Sequence, residues 1–443
     1  MGAQELDTSS GLLPWGRYPQ RPQTAVPCHW KDQIQGLLTE HGPGVLPFGN
    51  GRSYGDSCLA TGDRVLHTRP LDRFIEADWE TGRVVAQPGV LLDEIIRLAL
   101  PRGWFLPVTP GTRFITLGGA IANDVHGKNH HHAGTFGRHI RRLGLVRSDR
   151  DEPLTCSLNE HPELFRATIA GLGLTGVITW AELQLRPVRS AAITTRTLPF
   201  ADLDTFFELS AEHDETHEYA VAWVDCAARG RALGRGLYML GDHAEDGDLS
   251  LPRSRQRRFP VDPPLSLVNR WSVRLFNSLY FRRGHGRDAP HRVSYQPYFF
   301  PLDAILEWNR VYGRRGFQQF QCLLPEPAAR DALRAILESI ADSGSGSPLA
   351  VLKRCGDRPS PGLISFPAPG ITLALDFPNS QRLTHRTLPR LDAIVREAGG
   401  RLYPAKDAHM SGSDFRAGYP DWERLETLRD PALMSQFWER VLP

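Results

Sequence analysis

Apolar and polar positions over the first 190 residues alternate in short stretches that predict both strands and helices. Three apolar runs bounded by glycine or proline are typical of strands: GVLPFG, RVLHTRP and RVVAQPGV. The run LLDEIIRLAL has apolar side chains at helical spacing and ends at Pro101, so it predicts a helix. A second predicted helix, PELFRATIAGLG, precedes a long strand, GVITWAELQLRPV. This mixture indicates an α+β domain over residues 1–190.

The pattern changes beyond residue 190, where longer strands are separated by longer helices. Strands are predicted for AAITTRTLPF, EYAVAWVDC, FQQFQCLLP and ITLALDFP. Helices are predicted for ARDALRAILESIADSG and LPRLDAIVREAGG, which both end in glycine, a common residue at helix C-termini. These elements predict a second domain over residues 191–400, built on an antiparallel sheet that is covered by helices.

Composition and charge narrow the class of protein. A chain of 443 residues with 41% apolar side chains is typical of a globular protein with two domains. The net charge of +2 gives no reason to expect a nucleic acid partner. The six cysteines are scattered without a C-x-x-C pair, which favours a reducing compartment. No signal peptide and no apolar run of about 20 residues is visible, so we expect a cytoplasmic location.

A glycine-rich stretch, GGAIANDVHGKNHHHAGTFG, spans Gly118 to Gly137. Its glycines should interrupt any regular helix or strand, and its polar side chains are too dense for a core. A metal site, a phosphate cradle and a solvated loop are the three candidates for it. The adjacent His130, His131 and His132 would point in different directions on an extended chain. This argues against zinc, which takes three or four converging ligands.

A second glycine-rich stretch, PFGNGRSYGDS, runs from Pro47 to Ser57 directly after a predicted strand. Closely spaced glycines allow backbone N–H groups to converge on an anion such as phosphate. The stretch is not a Walker A loop, because no G-K-[ST] follows. It is not a Rossmann fingerprint either, since its spacing is G-x-G-x-x-x-G. On its own it is equally well explained as a plain turn.

Taken together, these motifs occur in an order that points to a family. The series GNGRSYGD, QPGV, PGTRFITLGGAIANDVHGKNHHHAGTFG and GLTGVI resembles the PCMH-type FAD-binding half of the vanillyl-alcohol-oxidase superfamily. Within it, the decaprenylphosphoryl-β-D-ribose oxidase family is similar also through EWNRVYG, FQQFQ, SFPAPGITLALDFP and GGRLYPAKD. The resemblance covers nearly the whole chain. It implies an α+β, two-domain fold in which residues 401–443 return to the FAD-binding domain.

The resemblance implies that the two glycine-rich loops hold the diphosphate of FAD. Gly118 and Gly119 lack a β-carbon, so their backbone can approach phosphates closely. Many relatives attach FAD through a histidine in the pattern G-x-G-H-S, but Arg52 occupies that position here, so we expect non-covalent FAD. The residues that match cofactor-binding positions are Pro47, Phe48, Gly49, Asn50, Gly51, Arg52, Ser53, Tyr54, Gly55, Asp56, Ser57, Gly111, Thr116, Leu117, Gly118, Gly119, Asn123, Asp124, Val125, His126, Ile178 and Tyr403.

The resemblance also assigns catalytic positions to Lys406, His126 and Tyr54. Lys406 either takes a hydroxyl proton, after burial has lowered its pKa, or stays charged and stabilises the reduced flavin. A surface lysine paired with Asp407 is the structural alternative. The residues that match substrate-binding positions are Gln319, Gln321, Lys353, Trp223 and Lys406.

Two amides two residues apart, Gln319 and Gln321, share one face of a predicted strand, where they suit sugar hydroxyls. Three positions depart from the family. Ala374 stands where mycobacterial members have a pocket cysteine, Thr372 replaces an asparagine, and Phe299 replaces a tyrosine of a flexible loop. Inhibitors that bond the cysteine should therefore fail to react covalently, and details of the substrate are left open.

The implied activity is FAD-dependent oxidation of the ribose C2 hydroxyl of a polyprenyl-phosphate ribose to the 2-keto sugar. An NAD(P)H-dependent short-chain reductase would then complete the epimerisation to an arabinose donor. Two alternatives remain. One is an FAD-dependent oxidase of a soluble polyol, aldonolactone or other glycoside. The other is a flavin-binding or membrane-surface scaffold without turnover, against which the presence of both His126 and Lys406 argues.

The basic segment, residues 251–292, contains ten arginines and two aspartates. Arg253, Arg255, Arg257 and Arg258 are clustered in it. Since the implied substrate lies in a bilayer, these arginines could attract an anionic surface, and the large apolar side chains that follow could enter the headgroup region. Those apolar side chains are Trp271, Phe276, Leu279 and Tyr280. A solvated loop is the alternative to this peripheral membrane contact.

Overall fold

The computed structural model describes residues 11–252 and 256–443, so Arg253 and Arg255 lie outside the described residues. Its main architecture is three β-sheets, of which two are formed before residue 190 and one after it. The fold is therefore mixed α+β, as predicted. The predicted domain boundaries at residues 190 and 400 remain predictions.

Two sheets organise the N-terminal part. The first is parallel, has the order β1-β3-β2, and consists of β1 (Thr24–Pro27), β2 (Leu46–Phe48) and β3 (Arg64–His67). The second is antiparallel, has the order β4-β5-β9-β7-β8, and consists of β4 (Phe74–Asp78), β5 (Arg83–Ala86), β7 (Ile140–Val146), β8 (Leu154–Ser157) and β9 (Val177–Gln184). A short pair joins β6 (Trp104–Phe105) to β10 (Arg186–Pro187).

The third sheet is antiparallel throughout and has the order β15-β11-β13-β12-β18-β19-β17-β20. Its strands are β11 (Ala192–Phe200), β12 (Tyr219–Val224), β13 (Gly236–His243), β15 (His291–Ser294), β17 (Phe317–Leu324), β18 (Ala350–Cys355), β19 (Gly370–Pro378) and β20 (Arg401–Leu402). Beside it, β14 (Arg257–Arg258) pairs with β16 (Ile305–Leu306).

Most helices pack on these sheets. Those of the described residues are α1 (Ile34–His41), α2 (Leu92–Ala99), α3 (Leu117–Ala122), α4 (His130–Ala133), α5 (Pro162–Thr168), α6 (Leu203–His213), α7 (Arg270–Gly284), α8 (Tyr295–Phe299), α9 (Glu326–Ser343), α10 (Leu388–Glu397), α11 (Gly412–Gly418), α12 (Trp422–Leu428) and α13 (Gln436–Val441). None of them is both long and apolar enough to span a bilayer.

The large sheet has two different faces because side chains alternate along a strand. On its back face, Phe320, Cys322 and Leu324 of β17 join the apolar stripes of α6, α9 and α10 in one buried cluster. In α9 this stripe repeats at helical spacing and ends at Gly344 in a left-handed conformation, as predicted. The front face, which carries Gln319 and Gln321, is turned toward the glycine-rich stretch that contains His126.

One local prediction was wrong. The start of GGAIANDVHG was expected to be irregular, but α3 forms there. The Thr116 hydroxyl accepts a hydrogen bond from Gly119 N (3.2 Å), which caps the helix. Leu117, Ala120 and Ile121 are buried, and we attribute the helix to this cap and burial, which outweigh the low helix propensity of two glycines.

Candidate active site

A cleft lies between the two glycine-rich loops, and residues near position 405 close one end of it. It encloses about 1040 Å³ of space not filled by protein atoms, open solvent at its mouth included. The predicted cofactor residues that line it are Pro47, Phe48, Gly49, Asn50, Gly51, Arg52, Ser53, Ser57, Thr116, Gly118, Gly119, Asn123, Val125, Ile178 and Tyr403. Lys406 also lines it.

The two loops contact each other closely enough to require glycine. A β-carbon on Gly49 would lie 2.4 Å from the hydroxyl oxygen of Thr116. A β-carbon on Gly118 would lie 2.8 Å from the β-carbon of Pro88. Gly49 therefore allows the first loop to approach Thr116 at the start of α3, and Gly118 allows α3 to approach Pro88.

Unpaired polar atoms in this wall suit a polar ligand. The Asn50 amide donates to Phe114 O (2.7 Å), but its oxygen is buried without a hydrogen-bond partner among the described residues. The Ser57 hydroxyl is also buried without a hydrogen-bond partner among the described residues. Burying such atoms unpaired costs free energy, which a ligand with matching polar groups would recover. The glycine N–H groups and the Ser57 hydroxyl can donate to the diphosphate of FAD, and the Asn50 oxygen can accept from a hydroxyl or N–H group elsewhere in the cofactor.

Seven predicted cofactor residues do not line the cleft: Tyr54, Gly55, Asp56, Gly111, Leu117, Asp124 and His126. Gly111 is exposed, and Leu117 belongs to the core. Asp56 forms an ion pair with Arg440 (2.8 Å). The buried Asp124 accepts hydrogen bonds from Gly137 N and from two serine hydroxyls. The two aspartates therefore hold the loops in place instead of facing a ligand.

Lys406 and Tyr54 meet at the closed end of the cleft. Tyr54 N donates to Ala405 O (3.0 Å), and the Lys406 ammonium lies 3.5 Å from the centre of the Tyr54 ring. Nearby, the Tyr403 hydroxyl donates to Asn123 O (2.8 Å). The C-terminal part of the chain thus contacts both glycine-rich loops, and Lys406 is not paired with Asp407 on the surface.

His126 contacts the front face of the large sheet. Burial lowers its pKa well below the usual value, and the nearby Lys353 adds to this effect, so the imidazole is neutral. Gln321 Nε2 donates to His126 Nε2 (3.2 Å), which places the imidazole proton on Nδ1. That Nδ1 is buried without a partner among the described residues. His126 therefore offers one free hydrogen-bond donor beside the cleft.

Asp376 is a residue that the sequence analysis did not single out. It lies opposite Gln319 in the β17–β19 pair, and the Gln319 amide donates to its carboxylate (2.5 Å). Burial raises the pKa of Asp376 and lowers the pKa of Lys406, so that both reach about 7. The two groups also attract each other when charged. This attraction favours the charged form of both and partly offsets the effect of burial on their pKa values.

Two buried amines lie farther along the same face. Lys353 of β18 donates to Gly127 O (3.1 Å), and burial lowers its pKa to about 8. Lys128 was not among the predicted site residues. Its amine donates to Tyr298 O, and burial lowers its pKa to about 7. Thr372 pairs with Lys353 and accepts a weak bond from Gln321 (3.4 Å). The face thus combines amides, a hydroxyl and amines.

The adjacent histidines have structural contacts. They lie in the short helix α4, so the expectation of an extended chain at this point was wrong. His130 is buried, while His131 and His132 both contact His217 O at 3.1 Å through Nε2. Over residues 11–252 and 256–443, no group of three or more potential ligands could hold a metal ion.

Comparisons with known proteins agree with this geometry. The protein-family model for an FAD binding domain matches residues 32–156 of this chain. Decaprenylphosphoryl-beta-D-ribose oxidase of Mycolicibacterium smegmatis is 33% identical over 442 residues, which cover 96% of this chain and 95% of that protein. The chain belongs to the decaprenylphosphoryl-β-D-ribose oxidase family. Like other members of this oxidase family, it is an FAD-dependent oxidoreductase, as predicted.

Two further relatives place this oxidase family member in a wider group. An uncharacterized protein of Streptomyces coelicolor is 34% identical over 360 residues, or 77% of this chain and 96% of that protein. D-arabinono-1,4-lactone oxidase of Eremothecium gossypii is 27% identical over 195 residues, or 42% of this chain and 36% of that protein. The second likeness thus covers less than half of either chain.

FAD, when bound, supplies an acceptor for the hydride of an alcohol. The lining residues of the cleft, among them Gly49 and Gly118, would hold it. Lys406, beside Tyr54 at the closed end, and His126, between the cleft and Gln321, would then lie where the substrate meets the cofactor. These roles are proposals that rest on the contacts above.

Proposed function

We propose that the protein oxidises the C2 hydroxyl of a polyprenyl-phosphate ribose to the 2-keto sugar. The observation that carries this proposal is the likeness to the mycobacterial oxidase over almost the full length of both chains. The region of this likeness includes the large sheet, whose front face carries Gln319, Gln321 and Lys353. Amides and amines on one face suit the hydroxyls of a sugar and the charge of its phosphate.

Lys406 is the proposed proton acceptor. Its pKa of about 7 leaves a large fraction of the amine neutral at physiological pH, which an exposed lysine would not allow. Gln319 and Gln321 would hold the sugar, while the neutral His126 donates from Nδ1. Asp376 adjusts the pKa of Lys406 by its charge. In this arrangement Lys406 Nζ would take the hydroxyl proton, and FAD, when bound, would supply the acceptor for the hydride of the carbinol carbon.

The substrate is tested by anaerobic mixing of the purified, FAD-loaded protein with decaprenylphosphoryl ribose. We expect the flavin absorbance to bleach. The matched control is the 2-deoxyribose lipid, which lacks the hydroxyl in question and should leave the colour unchanged. Bleaching by the deoxy lipid would contradict oxidation at C2. Bleaching by soluble polyols or aldonolactones, and not by the lipid, would establish the alternative oxidase activity.

The pH dependence tests the role of Lys406. If the neutral amine is the base, the rate of flavin reduction should rise with pH through about 7. The Asp376→Asn variant should move this rise to lower pH, because the lost carboxylate had raised the pKa of Lys406. Stopped-flow measurements of flavin reduction in both proteins, over about pH 5–9, give the shift of this rise along the pH scale. A rate that falls over this range would show instead that Lys406 acts as a cation.

The proposed product requires a second enzyme. A 2-keto sugar becomes the arabinose epimer only when hydride is returned to the opposite face of C2. We infer that a separate NAD(P)H-dependent short-chain reductase supplies this hydride. The product would be an arabinose donor for cell-envelope or glycan synthesis.

A lipid-linked substrate also calls for contact with a membrane, and we propose that α7 makes it. Trp271, Leu275 and Leu279 are one helical turn apart on one exposed stripe, and Trp271 is 69% exposed. Arg270 and Arg274 lie on the same helix. An exposed apolar stripe beside arginines suits an anionic lipid surface at the inner face of the membrane. Arg257 and Arg258, exposed on β14, add to this charge.

Liposome pelleting tests this contact. The protein should sediment with phosphatidylglycerol vesicles at low salt and be released by high salt, because the attraction is partly electrostatic. Trp271→Ser should weaken binding by about tenfold, since it removes a large apolar side chain from the contact. Trp30→Ser, at a tryptophan that is 57% exposed elsewhere, is the matched control. Equal binding by both variants would contradict the role of α7.

A further inference from the structure

An apolar row crosses the front face of the large sheet, starting next to the proposed catalytic residues. Ala374 of β19 lies opposite Gln321 of β17. Val351 of β18 lies opposite Ala374, and Trp223 of β12 lies opposite Val351. Directly opposed side chains in neighbouring antiparallel strands are on the same face and in contact distance. The row therefore begins beside Gln321 and leads away from it.

The row continues onto α7. The rings of Trp223 and Tyr280 are 4.8 Å apart, and Tyr280 stacks on Phe276 at 5.7 Å. Trp223 Nε1 donates to Pro348 O (3.0 Å), and the indole is only 4% exposed, because Tyr280 packs on it; the apolar surface above it is that of Tyr280 and Phe276. Phe276 and Tyr280 lie on the helix that we propose to contact the membrane. The row thus joins the catalytic end of the sheet to α7.

Val351 has an unusual environment for a residue in the middle of a sheet. It is 36% exposed, although β18 has a strand on either side and its neighbours Ala350 and Leu352 are fully buried on the back face. Central strands of a large sheet normally have covered apolar side chains. The front face is therefore open at Val351, between the helix and the glycine-rich loops.

We propose that this row, the apolar track, binds the prenyl chain of the lipid-linked sugar. The track consists of Ala374, Val351, Tyr280 and Phe276, and the buried Trp223 supports it from below. The inference rests on the proposed function, and it adds the path by which the chain leaves the site toward the membrane. The continuity of the track with Gln321 at one end and α7 at the other argues for a chain attached to the substrate rather than for a separate ligand.

The dimensions allow this occupant. Neighbouring strands lie about 4.8 Å apart, so the three intervals from β17 to β12 span about 14 Å. A farnesyl chain is long enough to cover this distance, and a longer prenyl chain would extend onto α7. Binding should therefore strengthen as the chain grows to about farnesyl length and change less beyond it, because the remaining units leave the sheet.

Steady-state flavin reduction with two substrates tests the track. Farnesylphosphoryl ribose has the chain, and methylphosphoryl ribose lacks it. Val351→Asp should raise the KM for the farnesyl substrate by about tenfold or more, while the limiting rate and the KM for the methyl substrate stay unchanged. Val351→Thr, which keeps the shape of valine, should raise the same KM by a smaller factor. Ile75→Asp, at an exposed residue of β4 in the N-terminal part, is the control.

The outcomes separate the track from the proposed function. An unchanged farnesyl KM in the folded Val351→Asp protein, or an equal rise for both substrates, would overturn the track alone. If neither phosphoribose bleached the wild-type flavin, the proposed function and the track would both be refuted. Circular dichroism of each variant shows whether it is folded. If Val351→Asp does not fold, the KM of Val351→Thr for the farnesyl substrate decides the test.

Discussion

Replacing Lys406 with methionine is expected to slow flavin reduction by about 10²–10⁴-fold while FAD remains bound. Methionine keeps an unbranched side chain of similar length but removes the amine that lies over the Tyr54 ring. The cleft that we propose for FAD is lined largely by residues of the glycine-rich loops, so the yellow colour should persist. The loss should appear in the limiting rate, because the proton acceptor acts in the transition state.

Anaerobic stopped-flow reduction measures this effect. Lys31→Met is the matched control, because Lys31 is an exposed lysine that does not line the cleft, and its replacement should leave the rate unchanged. Addition of a small primary amine to the Lys406→Met protein should restore part of the rate if the amine is the base. Unaltered reduction by Lys406→Met would remove this residue from the mechanism.

Gly55→Ala is expected to weaken FAD binding by about tenfold to a hundredfold, the range that overpacking usually costs. A β-carbon at this position would lie 1.7 Å from the backbone oxygen of Asp407. Because a backbone atom cannot move aside as a flexible side chain can, the loop 47–57 and the segment that carries Lys406 must separate. That separation would widen the closed end of the cleft.

Gel filtration of the FAD-loaded variant, followed by the ratio of flavin to protein absorbance, checks this result. Gly36→Ala is the control, since a β-carbon there meets no atom within 4 Å. Acid precipitation of the wild type should leave the flavin in the supernatant, because Arg52 cannot form a histidyl–flavin bond. A yellow pellet would contradict non-covalent binding, and a Gly55→Ala protein with full flavin content would contradict the steric argument.

Local sequence patterns predicted the elements whose periodicity is regular. The strands that contain Gln319 and Trp223 and the long helix α9 all lie where the apolar spacing placed them. The strand β18 was missed because Lys353 on its front face and Arg354 on its back face interrupt the apolar pattern. The helix α7 was not predicted, although its arginines and its large apolar side chains were recognised as a possible membrane contact, because its apolar stripe is exposed instead of buried.

The composition of the site was less predictable than its loops. The order of motifs was sufficient to indicate FAD, but the position of Asp376 depends on its register opposite Gln319, which a single sequence does not reveal. The same applies to Lys128, whose amine acquires its environment from Tyr298, far along the chain. Contacts between distant segments set the pKa values of such groups, so the sequence analysis could not single them out.

The contact of Arg440 with the first glycine-rich loop has a consequence for biosynthesis. Arg440 binds Asp56 and Asp407 together, at 2.8 Å and 2.9 Å. The loop near residue 50 leaves the ribosome long before this arginine does, and early segments of a chain begin to fold during synthesis. The nucleotide cleft is therefore completed late, and we expect stable uptake of the vitamin-derived cofactor only after Arg440 has been synthesised.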